Sequence, residues 1–217
     1  MPEQPFLQWW WINDNSGEIM SRLAQHVYLT GLAVAIGLAI ALPIGLLAHR
    51  KRWLYPPVTW VAGILYTIPS LAAIVLLLPL TGLSITTAEI ALVSYTLLIL
   101  IRNIVTGLDA VPDDARETAR AMGYTRWQLL WGVELPLAIP AIVAGIRIAT
   151  VTTIGLVTVA SLIGYGGLGQ FILEGLRELF FTPIVVGAVL SAVLAIVADL
   201  VLLTAEKLAT PWRRRKA

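Results

Sequence analysis

Cysteine is absent from the 217-residue chain, which excludes disulfide scaffolds, thiolate metal sites and thiol catalysis. Charge is scarce: Asp, Glu, Lys and Arg make up 13% of the residues, about half the share in soluble domains. Histidine occurs only at His26 and His49, too far apart for a His-x3-His metal motif. No serine stands in G-x-S-x-G, and the last apolar stretch holds one carboxylate, Asp199, so neither a nucleophile elbow nor an aspartyl pair is present. No lysine follows a glycine: Lys51, Lys207 and Lys216 come after Arg50, Glu206 and Arg215. The chain therefore carries no Walker A loop, and any ATP-driven work needs an ATPase on another polypeptide. A net charge of +2 argues against nucleic acid as a partner. With Glu3 and no basic n-region ahead of a long apolar run, a secretory leader is not expected.

What is present is apolar. Hydrophobic residues reach 58% and mean hydropathy is +0.83, more than a soluble chain of 23.5 kDa can bury. Long runs at Val27–Ala48, Val58–Leu80, Ala88–Val105, Leu135–Ile163 and Pro183–Ala205 each approach or exceed the ~20 residues a helix needs to cross a bilayer. The expected fold is all-α and polytopic, with five transmembrane helices. Twelve of the fifteen cations fall at one end of these spans, in 50–52, 102–126 and 207–216. Arg22 and Arg177 lie at the other, and Arg147 sits inside span four. The positive-inside rule then predicts an external N-terminus and a cytoplasmic C-terminus. Three parts are expected: an external or interfacial segment 1–26, a transmembrane domain 27–205 with a cytoplasmic loop 107–135, and a basic tail 206–217.

Phe6, Trp9, Trp10, Trp11 and Ile12 are placed in the outer headgroup layer, where Trp is enriched, with a short surface helix over Gly17–His26. Small residues at four-residue spacing (Gly31, Ala35 and Ala39; Ala141, Gly145, Ala149 and Thr153; Gly187, Ser191, Ala195 and Asp199) predict close helix packing. Pro43 and Pro69 are expected to kink their spans. Arg147 can line a path, snorkel or pair with Asp199, and pairing is the preferred reading. Gly164–Gly169 matches G-x-G-x-x-G literally, but no strand precedes it, so a flexible external turn is expected there.

The most informative segment is the polar loop Val111–Pro136. Pro112 followed by Asp113 and Asp114 begins a helix, and Gly123 ends it. Arg116 and Arg120 lie one turn apart, and Asp113 can pair with Arg116. Glu117, Ala119, Gly123, Val133, Leu135 and Pro136 keep the spacing EAA-x3-G-x9-I-x-L-P, with Thr118 and Val133 as departures. In this the chain resembles ABC importer permeases of type I. Further stretches extend the likeness over about 25–206, chiefly 66–72, 102–103, 133–138, 144–149 and 162–169. They resemble the permeases of glycine betaine, choline and carnitine importers.

The resemblance implies a non-catalytic transport subunit in the inner membrane of a bacterium or archaeon. Asp114–Gly123 would be a coupling helix seated in the ATPase, with Asp114, Arg116, Glu117, Ala119, Arg120 and Gly123 as the contact set. It implies no cofactor on this chain, ATP and Mg being held by the ATPase subunits. A second permease copy or paralogue, a separate extracytoplasmic substrate-binding protein and the lipid bilayer are the other partners. Tyr66, Ser70, Tyr95 and Asn103 are candidate path-lining groups, with interhelical hydrogen bonding as their other use. Two alternatives stay open: a methionine-type amino-acid permease and, outside transporters, a passive channel or membrane scaffold.

Overall fold

The structure, a computed structural model, describes residues 7–210. Phe6 of the expected Trp-rich anchor and Arg213–Lys216 of the basic tail lie outside the described residues. The described residues form helices without strands. Four helices are long and apolar enough to cross a membrane, and a bent pair makes a fifth candidate. In chain order these are α2 (Ser16–Arg50), the pair α3 (Tyr55–Thr67) and α4 (Ser70–Thr81), α5 (Ile85–Asp109), α8 (Leu135–Val157) and α10 (Phe181–Ala209). Shorter helices are α1 (Trp9–Asp14), α6 (Asp113–Ala121), α7 (Arg126–Leu129) and α9 (Gly169–Glu178).

Helix α5 is the hub, packed against α2, α3, α4 and α8. Leu100, Ile101, Ile104 and Leu108 of α5 are almost fully buried against Ala41 and Ala138. Backbone proximity sets this up. A Cβ at Gly37 would stand 2.0 Å from Thr96, and one at Gly45 would stand 2.7 Å from Ile104. α2 and α5 therefore run parallel in van der Waals contact. Gly145 against Asn103 and Gly107 against Ala141 bring α5 and α8 equally close in the antiparallel sense.

The packing stripe on α2 is thus Ala33, Gly37, Ala41 and Gly45, whereas Gly31, Ala35 and Ala39 are exposed. Both stripes have four-residue spacing; the bulky partners Thr96 and Ile104 decide between them. On α8 the expected residues Gly145, Ala149 and Thr153 are buried.

Three other expectations are corrected. Gly17–His26 is not a separate surface helix, because nothing between Ser16 and Val27 interrupts the helical run and α2 continues through it. At 35 residues α2 is about 50 Å long, well beyond a ~30 Å hydrocarbon core. Pro69 does more than kink its span. Ile68 and Pro69 are extended (ψ 127° and 135°), the helix stops, and α3 and α4 meet at 94°. Pro43, by contrast, lies within unbroken helix.

The glycine-rich segment is not a flexible turn: Gly166–Gln170 are buried. His26, fully buried on α2, donates from Nε2 to Ile154 O (3.0 Å) and accepts at Nδ1 from Leu168 N (3.3 Å). Gln25 accepts from Gly167 N. The segment is a plug wedged between α2 and the 3-10 turn Thr158–Ile163 that ends α8. Trp11 joins the same end of the molecule, meeting Phe171 and Phe180 edge-on at 5.6 and 6.1 Å, while Trp9 and Trp10 stay exposed.

Candidate functional site

The opposite end, here the basic end, carries the polar loop. Helix α6 begins at Asp113 because Pro112 presets the entry, and Asp113 and Asp114 favour the positive helix start. It ends at Ala121. Gly123 adopts φ +83°, its N–H bonds Arg120 O and that of Tyr124 bonds Ala119 O, the paired bonds of a Schellman motif. Next, Thr125 and Gln128 form a capping box that starts α7. A π-helical turn, Leu130–Glu134, leads into α8 and absorbs the missing N–H of Pro136.

Arg116 organises this end. Its guanidinium donates to Glu134 Oε1 (3.0 Å), Asp113 Oδ1 (2.9 Å), Val111 O (3.0 Å) and Leu108 O (2.7 Å). One side chain, 13% exposed, thereby ties Leu108 of α5 and Val111 just beyond it to α6 and to the foot of α8. Ala119 is buried where α6 packs on α7 and the π-helical turn. Asp114, Glu117 and Arg120 point outward, and Gly123 is exposed. Around them Met122, Tyr124, Trp127 and Trp131 are 41–64% exposed. The exposed Met122, Tyr124, Trp127, Trp131 and Arg120 are of the residue types enriched at protein interfaces. Of the six residues expected at the coupling contact, Asp114, Glu117, Arg120 and Gly123 are exposed, whereas Ala119 is buried and Arg116 faces inward as a strut.

A second joint holds the first connection. His49 Nδ1 donates to Asp109 Oδ1 and Arg52 donates to Asp109 Oδ2, both at 2.6 Å, locking the ends of α2 and α5.

Of the candidate path residues, the helix break gathers three. Tyr95 on α5 donates its hydroxyl to the Ile68 carbonyl freed by the break, and its ring meets Tyr66 edge-on at 5.9 Å. Ser70 opens α4 on the far side of the bend. Asn103 is not part of this group: it lies two turns further along α5, bonds Ile99 O and packs on Gly145.

Arg147 donates to both Asp199 oxygens at 2.8 Å, and Glu206 stands 3.6 Å away. The bridge ties α8 to α10 and borders an open groove of about 440 Å³. Arg147 and Asp199 remain 23% and 35% exposed, so this face of the span carries polar atoms on its outside.

Glu89 was not nominated from sequence. It is 7% exposed on α5, and neither carboxylate oxygen has a partner. Thr30, level with it in the parallel α2–α5 register, also has an unpartnered hydroxyl. An unsatisfied buried polar group costs about 1–3 kcal/mol. Glu89→Leu is expected to raise the thermal midpoint of the purified protein by several degrees; a fall would mean that the carboxylate has a stabilising partner.

Glu134, His26 and Asp109 were likewise missed. The one available signal was a polar residue stranded at the edge of a long apolar run.

The family model described as "Binding-protein-dependent transport system inner membrane component" matches residues 33–207. The osmoprotectant import permease protein OsmW of Salmonella typhimurium is 40% identical over 203 residues, covering 91% of this chain and 94% of that protein. The glycine betaine/carnitine/choline transport system permease protein OpuCB of Bacillus subtilis is 38% identical, covering 92% of each. Among solved structures, the inward-facing MetNI methionine ABC transporter superposes with a TM-score of 0.77 at 23% identity, covering 88% of this chain and 96% of that one. An amino acid ABC transporter with histidines gives 0.70 at 21%, covering 93% and 98%.

Proposed function

Because this chain belongs to the family of binding-protein-dependent transport system inner membrane components, and is the permease subunit of an ABC importer, we propose that it moves a quaternary-ammonium osmoprotectant of the glycine betaine, choline or carnitine type across the inner membrane. The substrate reading is supported by relatives named for those solutes over more than nine-tenths of the chain. The amino-acid transporters share the fold at 21–23% identity, which carries no substrate argument.

The basic end faces the cytoplasm and the N-terminus lies outside. ATP and Mg are held by separate ATPase subunits that seat α6, and a separate binding protein delivers the substrate from outside. Two permease copies or paralogues line a path between them. The α8–α10 face is suited to that interface, because partly exposed charges such as Arg147 and Asp199 are costly against lipid. ATPase closure draws the two α6 helices together, and the differential affinity of the ATPase for the two permease states supplies the shift. Tyr66, Ser70 and Tyr95 at the bend line the path, where aromatic faces attract a quaternary ammonium. Such a bend is tolerated at membrane depth where its freed backbone faces protein or a water-filled cavity.

The observation that carries the coupling role is the Arg116 clasp. It makes α6 a rigid lever on α5 and α8 while Glu117 and Arg120 face outward. The test is ATP-dependent uptake in proteoliposomes containing the permease, its ATPase and its binding protein. Glycine betaine, choline or carnitine uptake is expected; methionine uptake with these three at background would overturn the substrate. Glu117→Lys is expected to cut uptake at least about tenfold, the equivalent of ~1.4 kcal/mol at the interface, and to weaken ATPase co-purification. Unchanged uptake and assembly would remove α6 from the ATPase contact.

A further inference from the structure

The turn between α2 and α3 borders an apolar groove. It has a volume of about 530 Å³ and lies between the last turns of α2, the 3-10 turn Arg52–Leu54, α3 and the middle of α5. Every lining side chain is apolar, from Leu47 and Trp53 at the mouth to Leu65 and Leu97 at the far end. The distance from Trp53 to Leu65 is about 16–18 Å at 1.5 Å per residue, roughly half of a ~30 Å hydrocarbon core. The groove thus has the length of one leaflet. A zwitterionic solute would find no polar partner in it, so it is not a branch of the substrate path.

The mouth is basic and rigid. Arg50, Lys51 and Arg52 follow one another at the turn, and their placement is fixed from three sides. Lys51 N closes α2 on Leu47 O (2.8 Å), the Arg50 guanidinium lies 5.2 Å over the Trp127 ring, and Arg52 is held by Asp109. Arg52 shares its single carboxylate with His49 and keeps 65% of its side chain exposed. Lys51 is exposed and makes no ion pair among the described residues. Among the described residues only Arg52 of these three cations meets a carboxylate, which it shares with His49, so the rim of this apolar slot carries excess positive charge. The basic turn alone would be read as ordinary positive-inside bias; the slot beneath it and the fixed cation geometry make it a site.

We propose that this groove binds an anionic glycerophospholipid from the leaflet at the basic end. One acyl chain lies along α3 and α5, and the phosphate sits at the Arg50–Arg52 turn. Basic pockets between membrane helices select anionic headgroups, and each cation near the surface contributes about fivefold in affinity (~1 kcal/mol). The proposal is independent of which solute is carried.

Trp53 supplies the probe, because it lines the groove. The importer, assembled with its ATPase, is reconstituted in phosphatidylcholine vesicles doped with phosphatidylglycerol brominated along its acyl chains, and in parallel with brominated phosphatidylcholine. The quenching lost in Trp53→Phe isolates the groove signal from the other tryptophans. Brominated phosphatidylglycerol is expected to quench Trp53 at a mole fraction at least about fivefold lower than brominated phosphatidylcholine. Lys51→Glu is expected to abolish that preference while leaving quenching by brominated phosphatidylcholine intact. Val61→Phe, which fills the slot from an exposed position, is expected to reduce quenching by both lipids. Equal quenching by the two lipids in the wild type, or an unchanged preference in Lys51→Glu, would overturn the anionic site. Absence of Trp53 quenching by either lipid would overturn it too, and would mean that another protein chain covers the groove.

Discussion

Replacing Arg116 by alanine is expected to abolish ATP-dependent uptake while the membrane spans remain folded. The guanidinium serves Glu134, Asp113 and the carbonyls of Leu108 and Val111. Asp113 is 86% exposed and returns to water, so its loss costs little. Glu134 is 13% exposed and is left without its partner. Breaking a largely buried ion pair from one side carries a cost toward the lower end of about 3–5 kcal/mol. A cost of that size disfavours the intact joint at least about a hundredfold. Helix α6 then still caps at Gly123 and packs through Ala119, but it loses its tie to α5 and to Glu134, so under the proposed coupling ATPase closure moves α6 without moving the bundle. The measurement is uptake together with ATP hydrolysis by the assembled complex: uptake is lost and hydrolysis persists. Arg116→Lys is expected to restore only part of the transport, because one ammonium cannot span acceptors on three elements. Asp113→Asn is expected to behave nearly as wild type. Full transport by Arg116→Ala would show that α6 is not the lever.

The contrast between Asp113 and Glu134 shows where sequence reading stops. Asp113 and Arg116 are three residues apart on one helix, and helical geometry alone predicts their contact. Glu134 lies beyond a turn and a second helix, at the end of the π-helical segment, so only the folded loop brings it to Arg116. The same divide holds in the membrane. Spans are legible because hydropathy is a local property and a bilayer demands a fixed length of it. The choice between two equally spaced stripes on α2 is not local. It depends on Thr96 and Ile104 of α5, some sixty residues away, presenting bulk to Gly37 and Gly45. At Pro69 the sequence predicts a bend but not its size, since the open geometry persists where Tyr95 takes the freed Ile68 carbonyl and steadies the break. Arg147 and Asp199 lay between these extremes. An intramembrane cation calls for an anion, and Asp199 was the lone carboxylate within the last span.

Gly166→Ala is expected to prevent accumulation of folded protein, although the change adds a single methyl group. That Cβ would stand 2.4 Å from the backbone N and Cα of Ser161. Main chain cannot rotate aside as a side-chain tip can, so the loop has to lift. Overpacking in a tight core costs about 1–3 kcal/mol and more where backbone blocks relief. Lifting the loop has a second cost. Leu168 N and Gly167 N are the donors to His26 and Gln25, and His26 in turn anchors α2 to Ile154 of α8. A fully buried imidazole would lose a partner and α2 its tie to the end of α8, which takes the expected loss beyond about 4 kcal/mol, a range seldom reached by one substitution. Gly155→Ala supplies the control. Gly155 lies within α8 with nothing within 4 Å of its Cβ position, and alanine is favoured over glycine in a helix interior by about 1 kcal/mol. The same methyl group is therefore expected to raise the thermal midpoint at 155 and to abolish the monodisperse, detergent-solubilised protein at 166. Equal tolerance at both positions would mean that the glycine-rich segment is the flexible turn its composition suggests, and that His26 does not depend on it.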